Sequence, residues 1–406
     1  MLPAAFSRAH VFLHAVVGGI PALLLFDSGA SATILSPPLV RRLGLAYRGR
    51  YTAYGIGEPV TGASMYDGVE MRFGSVTIRP KTVLSWSDPG FPTYGAAAPD
   101  GVVGYDLLRA VTLLVDLVGR RLIAFDTSAA TPSSGQARGT QPVALRVTNG
   151  LPVIDVDIFA SGGGAPPPAR AADTSASRLA VVVDFGAGAA LQLSRNASQR
   201  LGFPGRLRER RVRQLMGIGG TLELPEGFTD SVRIAGTSIP DAIVTADTTE
   251  TPSVALAEAE GFVGTEVLRR FAVTLDYAHG RVVFEPNALL RTPFCRNAAG
   301  LCVRPDAALT GAEVVFVDPS STAARAGIRA GYIILSVDGI PVGQLGGADV
   351  DRLLERAPGA VLEVVRGPAQ LRALMRQDVA TSRASVTRRA PARVERVGEL
   401  IRLPNP

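Results

Sequence analysis

Two aspartates in this chain of 406 residues lie in nearly the same sequence surroundings. Asp27 follows an apolar run in "LLFDSGASATILS", residues 24–36, and Asp184 takes the same place in "VVVDFGAGAALQLS", residues 181–194. An ionised carboxylate is costly to bury unless it is paired, hydrogen-bonded or protonated. Carboxyl groups in such positions can exchange protons, so general acid–base chemistry is what these residues offer. The alternative is that Asp27 only ends a strand and begins a turn, which Asp and Gly commonly do.

The similarity between the two regions extends beyond the aspartates. Three further motif pairs recur in the same order and at nearly constant spacing: "RLGL" (42–45) and "RLGF" (200–203), "YGIG" (54–57) and "MGIG" (216–219), "VVGYDLL" (102–108) and "FVGTEVL" (262–268). Collinear matches of this kind predict a duplicated lobe. The repeat therefore favours a functional role for both aspartates.

Composition indicates a globular, mostly β protein. Hydrophobic residues make up 47% of the chain and charged residues 19%, which suffices for sizeable cores. Short Val-, Leu- and Ile-rich runs are separated by Gly and Pro, as expected for strands joined by turns. The net charge of +6 arises partly from an arginine-rich end, residues 378–406, without interleaved aromatics. Nucleic acid is not an expected partner, and this end is predicted to be a solvated or loosely docked tail.

The apolar N-terminal stretch, residues 10–27, is predicted to be a strand hairpin and not an export signal. It is interrupted by His14, Gly18, Gly19 and Pro21, and it leads directly into Asp27. An export signal would then have to lie upstream of Met1. No run reaches the roughly 18 apolar residues of a membrane span.

Other catalytic chemistries find little support in the sequence. The histidines, which are His10, His14 and His279, do not stand in a Ser/His/Asp arrangement. No group of His, Cys and Glu has metal-ligand spacing, so neither a metal nor another cofactor is predicted.

Each lobe resembles the retropepsin-like aspartic protease family. The family's Asp-Thr/Ser-Gly-Ala motif corresponds to Asp27 and Asp184 with the residues that follow them: Ser28, Gly29, Ala30, Phe185, Gly186 and Ala187. Its Gly-rich flap corresponds to Gly55, Ile56, Gly57, Gly217, Ile218 and Gly219. Two fused copies imply a pepsin-like, single-chain pseudo-dimer with β-barrel lobes. We predict lobe one over residues 1–137 and lobe two over 138–291, with a low-complexity loop at 161–178.

The resemblance implies a catalytic dyad of Asp27 and Asp184 that hydrolyses peptide bonds. Two carboxyls held together share one proton. The ionised one would act as general base on a water, and the protonated one would donate to the scissile carbonyl. Peptides or unfolded proteins would be the substrates, covered by the flaps.

Phe185 departs from the family pattern, in which Thr or Ser follows the aspartate and braces the two loops. Ser28 can still brace from one side, whereas Phe185 has no hydroxyl. Two hypotheses follow: an active endopeptidase, or a degenerate relative that only binds peptides. The first requires facing carboxylates close enough to share one water, and Phe185 wedged between the loops with the two aspartates apart would favour the second.

Residues 296–377 resemble a bacterial PDZ domain of the α/β type. The most recognisable part is "SSTAARAGIRAGYIILSVDG", residues 320–339. PDZ domains bind protein C-termini by strand addition. The resemblance implies a loop that holds the terminal carboxylate, and the candidate residues are Gly300, Leu301, Cys302 and Val303. An ordinary linker at this loop, with the domain serving as a packing or regulatory module, is the alternative.

Cys295 and Cys302 are the cysteines of the chain. A disulfide between them would suit an oxidising compartment, and two buried free thiols would explain them equally well. Because the family is commonly exported in bacteria, we expect a periplasmic or secreted protein, with a cytoplasmic one as the alternative.

Overall fold

The fold is described from a computed structural model in which the chain forms two compact units, Met1–Arg291 and Thr292–Pro406. The boundaries predicted within these units stay predictions. The structure describes residues 1–7, 10–55, 59–85, 99–128, 141–161, 176–217, 219–249, 259–295, 297, 299–305, 311–319, 321–342, 350, 353–354, 359–367 and 399–404.

The first unit begins with a lobe built on one strongly bent, mostly antiparallel sheet. Its elements are β1 (Ala4–Ser7), β2 (His10–Val17), β3 (Ile20–Phe26), β4 (Ile34–Leu35), α1 (Pro37–Leu43), β5 (Tyr47–Ala53), β6 (Val60–Asp67), β7 (Met71–Phe73), β8 (Val76–Ile78), β9 (Thr82–Ser85), β10 (Gly101–Val103) and α2 (Tyr105–Leu108). The sheet order is β5-β6-β9-β4-β10-β3-β2-β7-β8, with β1 added on β2. The predicted N-terminal hairpin is present as β2 and β3, which turn at Gly18 and Gly19.

A central sheet and a second lobe follow. The elements are β11 (Thr112–Asp116), β12 (Arg121–Phe125), β13 (Val143–Ala144), β14 (Arg146–Thr148), β15 (Leu151–Phe159), β16 (Ala176–Val183), β17 (Leu191–Leu193), α3 (Arg195–Leu201), β18 (Arg208–Gly217), β19 (Gly220–Phe228), β20 (Ser231–Ile234), β21 (Thr237–Pro240), β22 (Ile243–Ala246), β23 (Gly261–Val263), α4 (Thr265–Leu268), β24 (Phe271–Asp276) and β25 (Arg281–Pro286). The second lobe has the order β18-β19-β22-β17-β23-β16-β15-β20-β21, with β14 on β15. Strand by strand, this order repeats that of the first lobe.

The two lobes share the central sheet, β12-β11-β24-β25-β13. Its middle pair joins the equivalent hairpins of the two repeats in antiparallel register, Leu113 opposite Leu275 and Val115 opposite Val273. All four side chains are fully buried. Burial of these apolar side chains between the two hairpins stabilises the association of the lobes. The predicted mostly β, two-lobe pseudo-dimer is confirmed.

The repeated "RLGL" and "RLGF" motifs are the ends of two equivalent helices. The hydroxyl oxygens of Ser36 and Ser194 cap the N-termini of α1 and α3, where they accept hydrogen bonds from backbone amides. Each helix ends at a glycine in the left-handed conformation, Gly44 at φ 62° and Gly202 at φ 72°. These caps fix where the chain turns back after each dyad loop. Among the described residues, none of the helices has the length and apolar character needed to cross a membrane.

The described part of the second unit contains a small antiparallel sheet and a short helix. Its elements are β26 (Leu301–Pro305), β27 (Ala312–Val317), α5 (Thr322–Arg325), β28 (Ile333–Val337), β29 (Ile340–Pro341), β30 (Val361–Val365) and β31 (Glu399–Arg402). The sheet order is β26-β27-β28-β30-β31, with β29 on β28. Val350 and Leu354 are also buried in the core of this unit.

The end of the predicted tail differs from the expectation of a solvated segment. Residues 399–402 form an edge strand that pairs with β30, and Leu403 is fully buried in the core of this unit. Ile401 and Leu403 explain the difference, because both are apolar and pack on this core, and burial of their side chains stabilises the docked strand. Residues 378–398 of the predicted tail lie outside the described residues.

Leu403→Ala should destabilise this unit by about 2–5 kcal/mol, since it removes a fully buried side chain. Hydrogen exchange of the β30 amides in the full chain measures the effect. Leu400→Ala is the matched control, because Leu400 lies in β31 and its side chain is largely exposed. Equal protection of β30 in both variants would show that β31 does not contribute to the core.

Candidate active site

Asp27 and Asp184 each leave the end of a central strand. The amide of Asp27 donates to the carbonyl of Val103 over 3.0 Å, and that of Asp184 donates to the carbonyl of Val263 over 2.9 Å. Each carboxylate then accepts a hydrogen bond from the glycine two residues on, Gly29 or Gly186, both at 2.8 Å. The turn that follows each strand therefore fixes the orientation of its own aspartate.

The two carboxyl groups meet and hydrogen-bond each other. The glycine of each loop packs against the aspartate of the other. A Cβ added to Gly29 would lie 2.6 Å from an oxygen of Asp184, and one added to Gly186 would lie 2.5 Å from an oxygen of Asp27. Only residues without a side chain allow the loops to approach this closely. The structure thus brings together the residues that the sequence predicted as the dyad.

Burial and mutual repulsion shift the titration of the pair. Burial is the largest influence on Asp27 and, together with the neighbouring Asp184, raises the pKa of Asp27 well above its ordinary value. Burial also raises the pKa of Asp184, although the hydrogen bond from Asp27 and the amides of Gly186 and Ala187 counteract it. Both shifts point to a pair that retains one shared proton at weakly acidic pH.

Ser28 braces the two loops from the side of lobe one. Its buried hydroxyl donates to the carbonyl of Val183 over 2.6 Å and accepts from the amide of Phe185 over 2.9 Å. Both partners belong to lobe two, so one side chain ties the dyad loops together. The sequence predicted this one-sided brace.

Phe185 does not separate the aspartates. Its ring is buried and lies against Phe26 of lobe one, with ring centroids 5.8 Å apart. This contact adds apolar packing between the lobes. The arrangement that would favour the degenerate alternative, with a wedged Phe185 and separated aspartates, is not the one observed.

Ser28→Ala should loosen the dyad. It leaves the carbonyl of Val183 and the amide of Phe185 without their partner, at about 1–3 kcal/mol for each group. We expect lower stability by denaturant unfolding, and Ser28→Thr should recover most of the loss because it restores the hydroxyl. Ser31→Ala, at an exposed position of the same loop, is the control. Equal stability of the two alanine variants would contradict the brace.

Sequence reasoning missed two contributions to the site. His10, considered only as a member of a catalytic triad, hydrogen-bonds the backbone of Phe185, and burial lowers the pKa of His10 to about 4. Gly104 packs directly against the first dyad loop. A side chain at this position would overlap the carbonyl oxygens of Asp27 and Ala30. The recurring Gly of "VVGYDLL" was a signal for this close approach.

The predicted flaps are hairpins. β5 and β6 form the first, and Gly55 lies beyond the end of β5. β18 and β19 form the second, whose tip pairs Gly217 with Gly220 and includes Gly219. Ile56, Gly57 and Ile218 lie outside the described residues. The role of the flaps as covers of a bound peptide stays a prediction.

The predicted carboxylate loop of the second unit uses two of its amides internally. The amide of Gly300 donates to the carbonyl of Asn297, and that of Leu301 donates to the Asn297 side chain over 3.1 Å. Gly300 also packs tightly on Ser321. Leu301, Cys302 and Val303 begin the edge strand β26. The carboxylate-binding role of these residues stays a prediction, and the internal bonds weigh against Gly300 and Leu301 as donors.

Cys295 and Cys302 form a disulfide. The bond closes the loop that precedes β26, so the alternative of two free thiols does not apply to this structure.

Comparisons with known proteins bear on both units. Residues 13–107 match the aspartyl protease family model, and residues 313–367 match the PDZ domain family model. The predicted resemblances are confirmed for these segments.

A search of solved structures found the crystal structure of an aspartic proteinase from Irpex lacteus, at 15% sequence identity over 72% of this chain and 98% of that chain, with a TM-score of 0.42. A search of curated proteins gave no match.

Proposed function

We propose that this chain, with its aspartyl-protease segment and its PDZ domain, is an aspartic endopeptidase that hydrolyses peptide bonds at Asp27 and Asp184. One observation carries the proposal: two half-buried carboxyls from equivalent loops hydrogen-bond each other, and the glycine of each loop leaves room for the aspartate of the other. Two carboxylates held this close and partly removed from water destabilise the fold unless the pair retains a proton. This arrangement is therefore suited to a reaction that needs one acid and one base side by side.

The reaction follows from the shared proton. The ionised carboxylate takes a proton from a water molecule as the water oxygen bonds to the scissile carbonyl carbon. The protonated partner donates to the carbonyl oxygen, where negative charge develops. The leaving nitrogen then takes the proton that the dyad gained from water, one hydroxyl of the tetrahedral intermediate gives its proton to the other carboxylate, and the C–N bond breaks to leave an amine, a carboxylic acid and a singly protonated pair. No covalent intermediate with the protein is required.

The PDZ domain would recruit substrates. β26 lies at the edge of its sheet and pairs on one side with β27. An extended peptide can add to such an edge as a further strand. A periplasmic or secreted location is part of the proposal, because the Cys295–Cys302 disulfide suits an oxidising compartment.

A digest of an unfolded protein, read by mass spectrometry, tests the proposal. We expect cuts at internal peptide bonds. We also expect inhibition by a peptide isostere with a secondary hydroxyl in place of the scissile carbonyl, because it imitates the tetrahedral intermediate. Absence of internal cuts, or cuts that the isostere leaves unchanged, would refute the proposal.

The dyad should also make the folded protein less stable as pH rises. A carboxyl whose pKa is raised on folding binds its proton more tightly in the folded state, so its contribution to stability is present in acid. That contribution is lost as pH rises from the ordinary pKa of an aspartyl carboxyl through the raised pKa of Asp27. Denaturant unfolding from pH 3 to 8 should show this slope, and Asp27→Asn should flatten it. An equal slope in the variant would contradict the raised pKa.

A further inference from the structure

Gln192 and Thr245 are neighbouring buried side chains of lobe two whose polar atoms have no hydrogen-bond partner within the described part of the chain. Both the nitrogen and the oxygen of the Gln192 amide are unpaired, and so is the hydroxyl of Thr245. Both residues are almost completely inaccessible to solvent. A buried polar group without a partner destabilises the fold by about 1–3 kcal/mol. Two neighbouring residues that both lack hydrogen-bond partners therefore indicate a functional role that offsets this loss of stability.

The strand register places these residues in one row across the sheet. Directly paired residues on neighbouring strands share a face. The row is Val153, Val182, Phe262, Gln192, Thr245, Glu226 and Arg211. Gln192 lies at its centre, next to Thr245.

Lobe one has the equivalent row on the equivalent strands. It runs through Phe12, Leu25, Val102, Ile34, Leu84, Met65 and Gly49. The first three positions are apolar in both lobes. At the next three, lobe one has Ile34, Leu84 and Met65, and lobe two has a glutamine, a threonine and a glutamate. The repeat thus diverges in polarity at the same place on the sheet.

This face is the one that carries the dyad. Asp27 lies two residues beyond Leu25, and Asp184 lies two residues beyond Val182, so each aspartate leaves its strand on the face of the row. In lobe one, Ile34 packs both against the cluster of Leu25 and Val102 and against the base of the flap hairpin. Ile34, at the fourth position of the row, therefore lies between the apolar cluster beside the dyad and the base of the flap hairpin.

Glu226, the charged member of the row, is already neutralised. Arg211 contacts its carboxylate at 2.9 Å and Arg213 at 2.7 Å. Burial alone would raise the pKa of Glu226, but the two arginines hold it below its ordinary value. Glu226 is thus a paired, structural anion. The unpaired hydrogen-bonding capacity of the row belongs to Gln192 and Thr245.

We infer that Gln192 and Thr245 determine substrate specificity, so that the lobe-two half of the cleft takes a neutral carboxamide or hydroxyl side chain and the lobe-one half takes an aliphatic one. This inference rests on the proposed function, since it assumes that a peptide lies across the dyad. The Gln192 amide offers both a donor and an acceptor, which matches another carboxamide best. Both side chains are covered in this structure, so a substrate side chain reaches them only after the groups that cover them have moved.

Peptides that differ at one position at a time, with Leu, Val, Asn, Gln, Ser or Asp, test the inference in the full chain. Cleavage is measured on ordinary peptides, and affinity is measured on uncleavable hydroxyl isosteres of the same sequences. The wild type should prefer Asn, Gln or Ser over Leu at one position by about 10- to 100-fold, because an apolar side chain leaves buried polar groups unpaired. Gln192→Ile, which installs the residue of lobe one, should reverse that preference.

Thr274→Val is the matched control, since Thr274 also has a buried hydroxyl unpaired within the described residues but lies on the central sheet. It should leave the preference unchanged. Thr245→Val provides a second variant at the site and should weaken the preference for polar side chains. If Gln192→Ile raises stability and leaves the preference unaltered, or if the wild type has no polar preference, the inference is wrong.

The two readouts separate this inference from the proposed function. Cleavage without a polar preference refutes the inference alone. Isostere affinity with the expected preference but without cleavage supports the inference and refutes the protease. Absence of both refutes the two together.

Discussion

Gly186→Ala should reduce cleavage at least about 100-fold while the protein stays folded, because displacements of about 1 Å at reacting groups have effects of that size. The new methyl group would lie 2.5 Å from an oxygen of Asp27, so either the carboxyl or the loop must move. Gly29→Ala should act in the same way on Asp184, since its Cβ would lie 2.6 Å from an Asp184 oxygen. The readout is kcat/KM on one peptide, with thermal unfolding as the test of folding.

Gly188→Ala is the matched control for both variants. Gly188 belongs to the same loop, but the nearest atom to its added Cβ is Nε2 of His10, at an ordinary contact distance of 4.0 Å. We expect activity close to that of the wild type. Equal activity of Gly186→Ala and Gly188→Ala would mean that the close approach of the loops is not needed for the reaction.

Asp27→Asn and Asp184→Asn should each reduce cleavage roughly a thousandfold or more, and the double variant should be no worse than either single one. Asparagine keeps the size of the side chain but cannot accept or release the proton that the pair shares. Groups that act as a unit show such non-additive losses. The measurement is kcat/KM of the three variants at the pH optimum of the wild type.

Stability gives these variants an independent readout. Removal of one carboxyl relieves repulsion within a buried pair, so we expect both single variants to be at least as stable as the wild type at neutral pH. A variant that lost activity and also unfolded would not bear on the dyad. Additive losses in folded variants would indicate that the two aspartates act independently.

Much of the first unit could be predicted because the chain contains two copies of it. The motifs around Asp27 and Asp184 are short, but their repetition in the same order predicted the lobes, the dyad loops and the flap hairpins. The brace by Ser28 followed from the residue type at a repeated position. Its partners in lobe two, Val183 and Phe185, follow from the pairing of the two loops.

Features that depend on side-chain direction could not be predicted. Phe185 was expected to weaken the dyad, because its sequence position suits a hydroxyl; the ring instead packs on Phe26, a contact made between the lobes. His10 precedes Asp27 by many residues, and its bond to the backbone of Phe185 arises only when the lobes close. Both are tertiary effects without a local sequence signal.

The second unit shows how far composition can mislead. The arginine-rich composition of residues 378–406 predicted a solvated tail. In the structure, Leu403 is buried and residues 399–402 pair with β30. The loop at Gly300 lies where the resemblance predicts the carboxylate-binding loop. The backbone amides of Gly300 and Leu301, however, already donate hydrogen bonds to Asn297. Neither bond could be seen in the order of residues alone.

The most direct test of the account is the digestion of an unfolded protein from pH 3 to 7 by the wild type, Asp27→Asn and Asp184→Asn in parallel. We predict internal cleavage by the wild type with a bell-shaped dependence on pH, because only the singly protonated pair is active. Both folded variants should be inactive throughout. A folded wild type that cuts nothing over this range, or a variant as active as the wild type, would contradict the account.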